Sequence, residues 1–194
     1  MALGDPRFSQ LTIEKLSDVQ KPIAERIMAS TRRNLGGPFS IILRSPGMAE
    51  GMVALFEYYR FNTPLDRRLK ELAILILARE WTAQYEWFAH QPAAVAAGLA
   101  EAVIADLRLG RRPASLRPDE AIVYDFVIAL IRRHEVDDAA FANARDLLGE
   151  QQLVDLTTLV GEYMKVALVL NMARVGVPDG NDLPLPPLEE GRGQ

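Results

Sequence analysis

The sequence predicts an all-α protein, a bundle of seven to eight helices. Three observations predict it. Apolar residues recur at the i, i+3, i+4, i+7 spacing of a helix over most of the chain. The one run that reads as extended, "SIILRSP" (40–46), has no partner strand in sight. Gly and Pro fall between the periodic stretches, where helices end.

The elements follow in order. A first helix is expected over 14–34, with Ser17 or Asp18 as cap and Pro22 in its first turn. "GGPF" (36–39) breaks it. A second helix covers 47–61, with Met48, Met52, Leu55, Phe56 and Tyr59 on one side, and "NTPLD" (62–66) is a turn and helix start. The third, about 65–81, carries Leu69, Leu72, Ala73, Ile76 and Leu77 as a stripe, but Ile74 and Leu75 make it apolar nearly all round after Glu71. Such a helix is central, or buried against another subunit. The fourth opens at Thr82 as N-cap and ends at Gly98, a C-cap. A short helix over 100–109 and a loop over 110–118 follow. Helices over 118–134 and 138–149, the latter capped by Asp137, form a hairpin. The last helix spans 150–174 and stops before Gly176 and Pro178. The tail, "PDGNDLPLPPLEEGRGQ", is expected to be extended or mobile, or to lie on a neighbouring subunit.

At 194 residues the chain reads as one domain, with a core of about 37–176, the N-terminal helix over 14–34 and the tail over 177–194. Half of it is apolar (49%) and a quarter charged (25%), as in a globular protein. The net charge of −4 argues against nucleic acid as a partner, since the arginine pairs at 67–68, 111–112 and 132–133 are scattered among acids. There is no cysteine, so thiol nucleophiles, disulfides and thiolate metal sites are excluded. The N-terminus lacks a basic region followed by an apolar one, and no run of 18 apolar residues occurs. The expectation is a cytoplasmic protein with no membrane partner.

Chemistry concentrates in "AREWTAQYEWFAHQPAAVAAG" (78–98), which holds both tryptophans and one of the two histidines. Residues 83, 86, 90 and 94 share a helix face, so Glu86 and His90 are i, i+4 neighbours. The dipole at the helix N-terminus favours an ionised Glu86, which would hold His90 as a proton-transfer group. An acid in a first turn and a Glu–His surface pair are also what helix stability alone produces. Glu71 sits before a wholly apolar stretch, so its carboxylate must be solvated, paired or functional. Arg67 or Arg68 could pair with it within the helix; antiparallel packing of the third and fourth helices would instead bring it to the His90 face. His134 reads as a helix C-terminal cap. Tyr163 and Asn171, on the apolar last helix, read as satisfied buried polar groups or as substrate contacts. Arg44 reads as a carboxylate-binding cation or a subunit salt bridge. Two histidines without cysteine make a transition-metal site improbable, although Glu71, Glu86 and His90 could supply ligands. No phosphate loop, nucleophile elbow or H-E-x-x-H motif is present.

The stretch "RRLKELAILILAREWTAQYEWFAHQPAAVAAGLAEAVIADL" (67–107) resembles the carboxymuconolactone decarboxylase and alkylhydroperoxidase D superfamily, in its E-L-A-I-L helix followed by Y-E-W-x-x-H. "GPFSIILRSPGMAEGMVALFEYYRFNTPLDRRLKELAIL" (37–75) and "VGEYMKVALVLNMARVGVPDG" (160–180) extend the likeness to a decarboxylase-like subgroup. The resemblance implies an all-α fold and a homo-oligomer. It also implies a glutamate nineteen residues before a histidine, which Glu71 and His90 match. The peroxidase branch places two cysteines between them, at the positions of Ala83 and Glu86, and often a histidine at that of Tyr85. Without those cysteines a thiolate peroxidase is not expected. The decarboxylase branch needs none and keeps a glutamate where Glu86 stands. By resemblance His90 is the general acid/base, Glu86 or Glu71 orients it, and Tyr85 donates a hydrogen bond; from the residues themselves, Arg44, Tyr163 and Asn171 are the candidates to meet the substrate. No cofactor is implied. The expected function is proton-transfer or decarboxylation chemistry on a small carboxylated or lactone-like compound. The alternatives are a cysteine-less peroxidase relative and a non-catalytic oligomeric binding protein.

Overall fold

The computed structural model describes residues 4–9, 11–29, 35–178 and 181–188, and its regular structure there is helical throughout, with no strand among the described residues. In chain order the helices are α1 (Gln20–Ala29), α2 (Phe39–Ile42), α3 (Pro46–Glu57), α4 (Arg67–Glu80), α5 (Gln84–Ala96), α6 (Glu101–Arg108), α7 (Pro118–Ile128) and α8 (Asp138–Ala173). A 3-10 turn at Ile13–Lys15 precedes α1, and π-helical turns at Tyr58–Asn62 and Ala129–Arg133 extend α3 and α7. The all-α expectation therefore holds. None of these helices is long and apolar enough to cross a membrane.

The chain folds as two compact units. One comprises Pro64–Ala167 with the C-terminal stretch from Val177; the other comprises the N-terminal stretch to Thr63 with Leu168–Gly176. In the N-terminal unit, α3 packs on α1 and α2. Ala49, Met52 and Val53 form its buried face, with Phe39 edge-on to Phe56 at 5.3 Å. Met48 and Leu55, expected on that face, are exposed. The run 40–46 is not extended either: Ser40–Ile42 complete α2, because Pro38 starts a helical turn whose carbonyl accepts from Ile41 and Ile42. The first helix begins at Gln20, not at 14. The Gln20 side chain bonds back to the Ser17 N–H at 2.9 Å, which marks Ser17 as the start. Its expected end, 30–34, lies outside the described residues.

In the larger unit α4 is the central element, packed against α5, α6 and α7. Asp66 caps it, accepting from the Arg68 and Leu69 N–H groups at 2.9 and 3.1 Å. Leu72, Ala73, Ile74, Leu75, Ile76, Leu77 and Ala78 are all buried. Its all-round apolar surface is thus explained by a central position within one chain. The α7–α4 contact is tied by Arg68, which bonds Asp119 at 2.5 Å and also Glu120. Asp137 caps α8, accepting from the Ala140 N–H at 2.9 Å. The boundary expected near 149–150 appears as a break inside α8, where Gly149 takes φ 72° and ψ 168°. That conformation is essentially restricted to glycine.

Candidate active site

Two helix ends decide how the site is built. α5 and α6 terminate at glycines in the left-handed region, Gly98 (φ 88°) and Gly110 (φ 70°). Each closes the helix with paired 6→1 and 5→2 bonds: Leu99 to Ala94 and Gly98 to Val95, then Arg111 to Asp106 and Gly110 to Leu107. α4 ends with the same bond pattern, Ala83 N–H to Ala78 at 2.8 Å and Thr82 N–H to Arg79 at 3.0 Å. Here the left-handed residue is Thr82, at φ 48°. Thr82 is therefore not the N-cap of α5. The cap position is Ala83, which offers no side-chain bond. The turn reverses the chain at once, so α5 runs back along α4.

Antiparallel packing brings Glu71 to His90. Glu71 Oε2 lies 2.8 Å from His90 Nδ1, and both residues are buried. A carboxylate at that distance accepts the Nδ1 proton, which fixes the tautomer and leaves Nε2 as the basic nitrogen. Tyr163, from α8, packs edge-on to the imidazole with ring centres 5.1 Å apart, which restrains the ring. Arg67 and Arg68 do not take up Glu71; Arg68 is engaged by Asp119 and Glu120.

Glu86 behaves differently from the expectation. It does not orient His90: both of its carboxyl oxygens are buried without a hydrogen-bond partner among the described residues. Burial pushes its carboxyl well above the usual carboxylate range. Desolvation outweighs the helix dipole, so burial favours the neutral acid over the carboxylate. It stands one helical turn before His90.

The remaining expected residues are not gathered with this set. Tyr85 is half-buried on a different face of α5. Arg44 belongs to the N-terminal unit, where its guanidinium bonds the backbone carbonyls of Ser9, at 2.6 Å, and Ser40, and lies 4.9 Å from the Phe8 ring centre. Those contacts explain Arg44 as a tie within that unit. Asn171 is exposed, not a buried polar group, and belongs to the same unit. His134 occupies the C-cap position after the π-turn that extends α7, in the left-handed region (φ 59°). Among the described residues no group of three or more His, Asp or Glu side chains is arranged to hold a metal ion.

Sequence reasoning missed Gln84 and Arg79. Both are buried, and both bond the backbone of the C-terminal tail. The available signal was polarity: a glutamine at the first position of an aromatic-rich helix and an arginine at the end of an apolar one. The tail is accordingly held on its own chain over 184–186, while 179–180 and 189–194 lie outside the described residues.

No family model matches the chain, and no curated protein matches it. A solved structure does. It is a crystal structure described as an alkylhydroperoxidase AhpD core, an uncharacterized peroxidase-related protein from Ralstonia eutropha JMP134. It superimposes with a TM-score of 0.73 over 90% of this chain and 93% of that one, at 14% sequence identity. The chain has the alkylhydroperoxidase D-like fold. At that identity the likeness concerns the path of the helices and assigns no role to any side chain.

Proposed function

We propose that this protein is a cofactor-free enzyme that moves a proton to or from carbon, in the manner of a carboxymuconolactone decarboxylase. The observation that carries the reading is the buried Glu71–His90 pair at 2.8 Å, one turn from the partnerless carboxyl of Glu86. An imidazole held by a carboxylate at Nδ1 presents Nε2 for proton transfer. A carboxyl kept neutral by burial can donate a hydrogen bond to a developing oxyanion.

In the decarboxylation, the C–C bond to the substrate carboxylate breaks and CO₂ leaves. The bonding pair passes into a conjugated carbonyl, giving a dienolate whose oxygen accepts a hydrogen bond from neutral Glu86. Protonated His90 then delivers its Nε2 proton to carbon, and water restores that proton. Glu71 stabilises the imidazolium before that transfer and holds the Nδ1 proton of the neutral ring after it. The substrate class is a small carboxylated, lactone-like compound, and the working form is a homo-oligomer.

The test uses purified protein with unsaturated lactones bearing a carboxylate, followed by CO₂ release and by deuterium incorporation at carbon from heavy water. His90→Gln is expected to lower the rate by about 10²–10⁴-fold with unchanged helicity. A full rate in that variant would remove His90 from the mechanism. Consumption of an organic hydroperoxide without CO₂ release would favour peroxide chemistry instead, by a route that uses no thiol, since the chain has no cysteine.

A further inference from the structure

The tail segment Pro184–Leu185–Pro186 is bound to three helix ends through its backbone. Gln84, the first residue of α5, donates from Nε2 to the Leu185 carbonyl and accepts the Leu185 N–H at Oε1, both at 2.9 Å. Arg79, in the last turn of α4, donates to the Pro186 carbonyl at 2.7 Å. Arg108, the last residue of α6, donates to the Pro184 carbonyl. The flanking prolines have no N–H, so Leu185 offers the one backbone donor over 184–187, and Gln84 meets it. The Leu185 side chain is itself buried. The segment therefore spans the Thr82 turn, holding the arm before it through Arg79 and the arm after it through Gln84.

Apart from its two backbone bonds, that turn has no side-chain cap, since Ala83 gives α5 none. Thr82 sits in a backbone region that a β-branched residue rarely adopts. Glu86 lies in the same first turn as Gln84. We propose that residues 184–186 act as a clasp that positions the first turn of α5 and so keeps the Glu86 carboxyl out of water. This rests on the reading of Glu86 as part of the site, and it makes Gln84 a positioning residue.

The test uses the full chain with two variants that act from opposite sides of the contact. Gln84→Met removes both bonds to Leu185 while keeping a helix-forming side chain of similar length. Leu185→Ala weakens the docking without touching α5, and carries the test if the first variant folds poorly. Two readouts are taken. Hydrogen exchange at the Trp87, Phe88 and Ala89 amides reports the first bonded turn of α5, with Tyr124 and Phe126 of α7 as internal control. The infrared carbonyl band of the protonated Glu86 carboxyl, assigned by its loss in Glu86→Gln, reports that group's hydration at fixed pH. The expected result is exchange about tenfold faster in α5 alone, the effect of two lost hydrogen bonds. The Glu86 band should weaken in the same variants. Unchanged exchange in α5, or faster exchange with an unchanged Glu86 band, overturns the proposal. Neither readout requires turnover, so a failure to find decarboxylation would not be mistaken for a failure of the clasp.

Discussion

A carboxyl group taken from water and given no donor is disfavoured as an anion, and Glu86 is such a group. Its effect on stability has a definite sign. Between the ordinary carboxyl pKa of 4.5 and its raised native value, the unfolded chain ionises Glu86 while the native chain keeps the proton. The native state then binds more protons, so stability falls as pH rises through that window. Glu86→Gln removes the titration. The variant is expected to gain on the wild type by up to about 1.4 kcal/mol per pH unit above that lower limit, measured by urea unfolding over a pH series. A pH-independent difference would mean that Glu86 is ionised in the native protein. At this scale the sequence was half legible. The family resemblance pointed to the Glu71–His90 pair, while the residues alone left Arg67 and Arg68 open as partners of Glu71. The state of Glu86 was not legible, because helix position favours ionisation and only burial reverses it.

At the scale of the element, the turn between α4 and α5 shows how a local rule is overridden. Thr82 precedes a helix and carries a hydroxyl, so it reads as an N-cap. The structure uses it as the left-handed closing residue of α4, a role filled by glycine at the ends of α5 and α6. The immediate reversal of the chain demands it, and packing of α5 along α4 offsets the strain. A left-handed threonine costs about 1–2 kcal/mol, part of which glycine returns through greater freedom in the unfolded chain. Thr82→Gly is therefore expected to raise stability by about 0.5–1 kcal/mol, seen as a higher urea midpoint with an unchanged slope. A lower midpoint would show that the threonine side chain holds the turn. Helix existence was legible for α3 to α8, which lie close to the periodic stretches, but not for α2, whose residues read as extended. Faces were less so: Met48 and Leu55 of α3 point out because burial depends on which neighbour arrives, not on hydrophobicity alone.

On the scale of the molecule, long-range polar ties organise the larger unit around α4. Glu120 is almost fully buried at the start of α7, and Arg68 meets it from the start of α4. Arg68→Met leaves that carboxylate with the Arg117 N–H at 2.8 Å as its main donor. The expected cost is about 3 kcal/mol, the lower end of the range for breaking a buried pair. Adding Glu120→Gln should recover a large part of it, read in a double-mutant cycle by chemical unfolding. Purely additive losses would mean that the two side chains do not act as a pair. Neither this tie nor the tail's attachment could be read from spacing, since their partners lie 51 or 52 and 76 or more residues apart.

The sequence by itself determined the fold class, the approximate helix limits, the absence of thiol chemistry and the nineteen-residue spacing that puts Glu71 and His90 within reach. The first three are consequences of composition and of a period of 3.6 residues, both local, while the spacing gained its meaning from the family resemblance. The tertiary structure alone decided that Glu86 is partnerless, that Arg44 is bound to carbonyls of its own unit, and that the tail is fastened over the Thr82 turn. The ionisation of a carboxyl and the partner of a guanidinium depend on which distant atoms exclude water from them. No local pattern encodes that until the chain has folded.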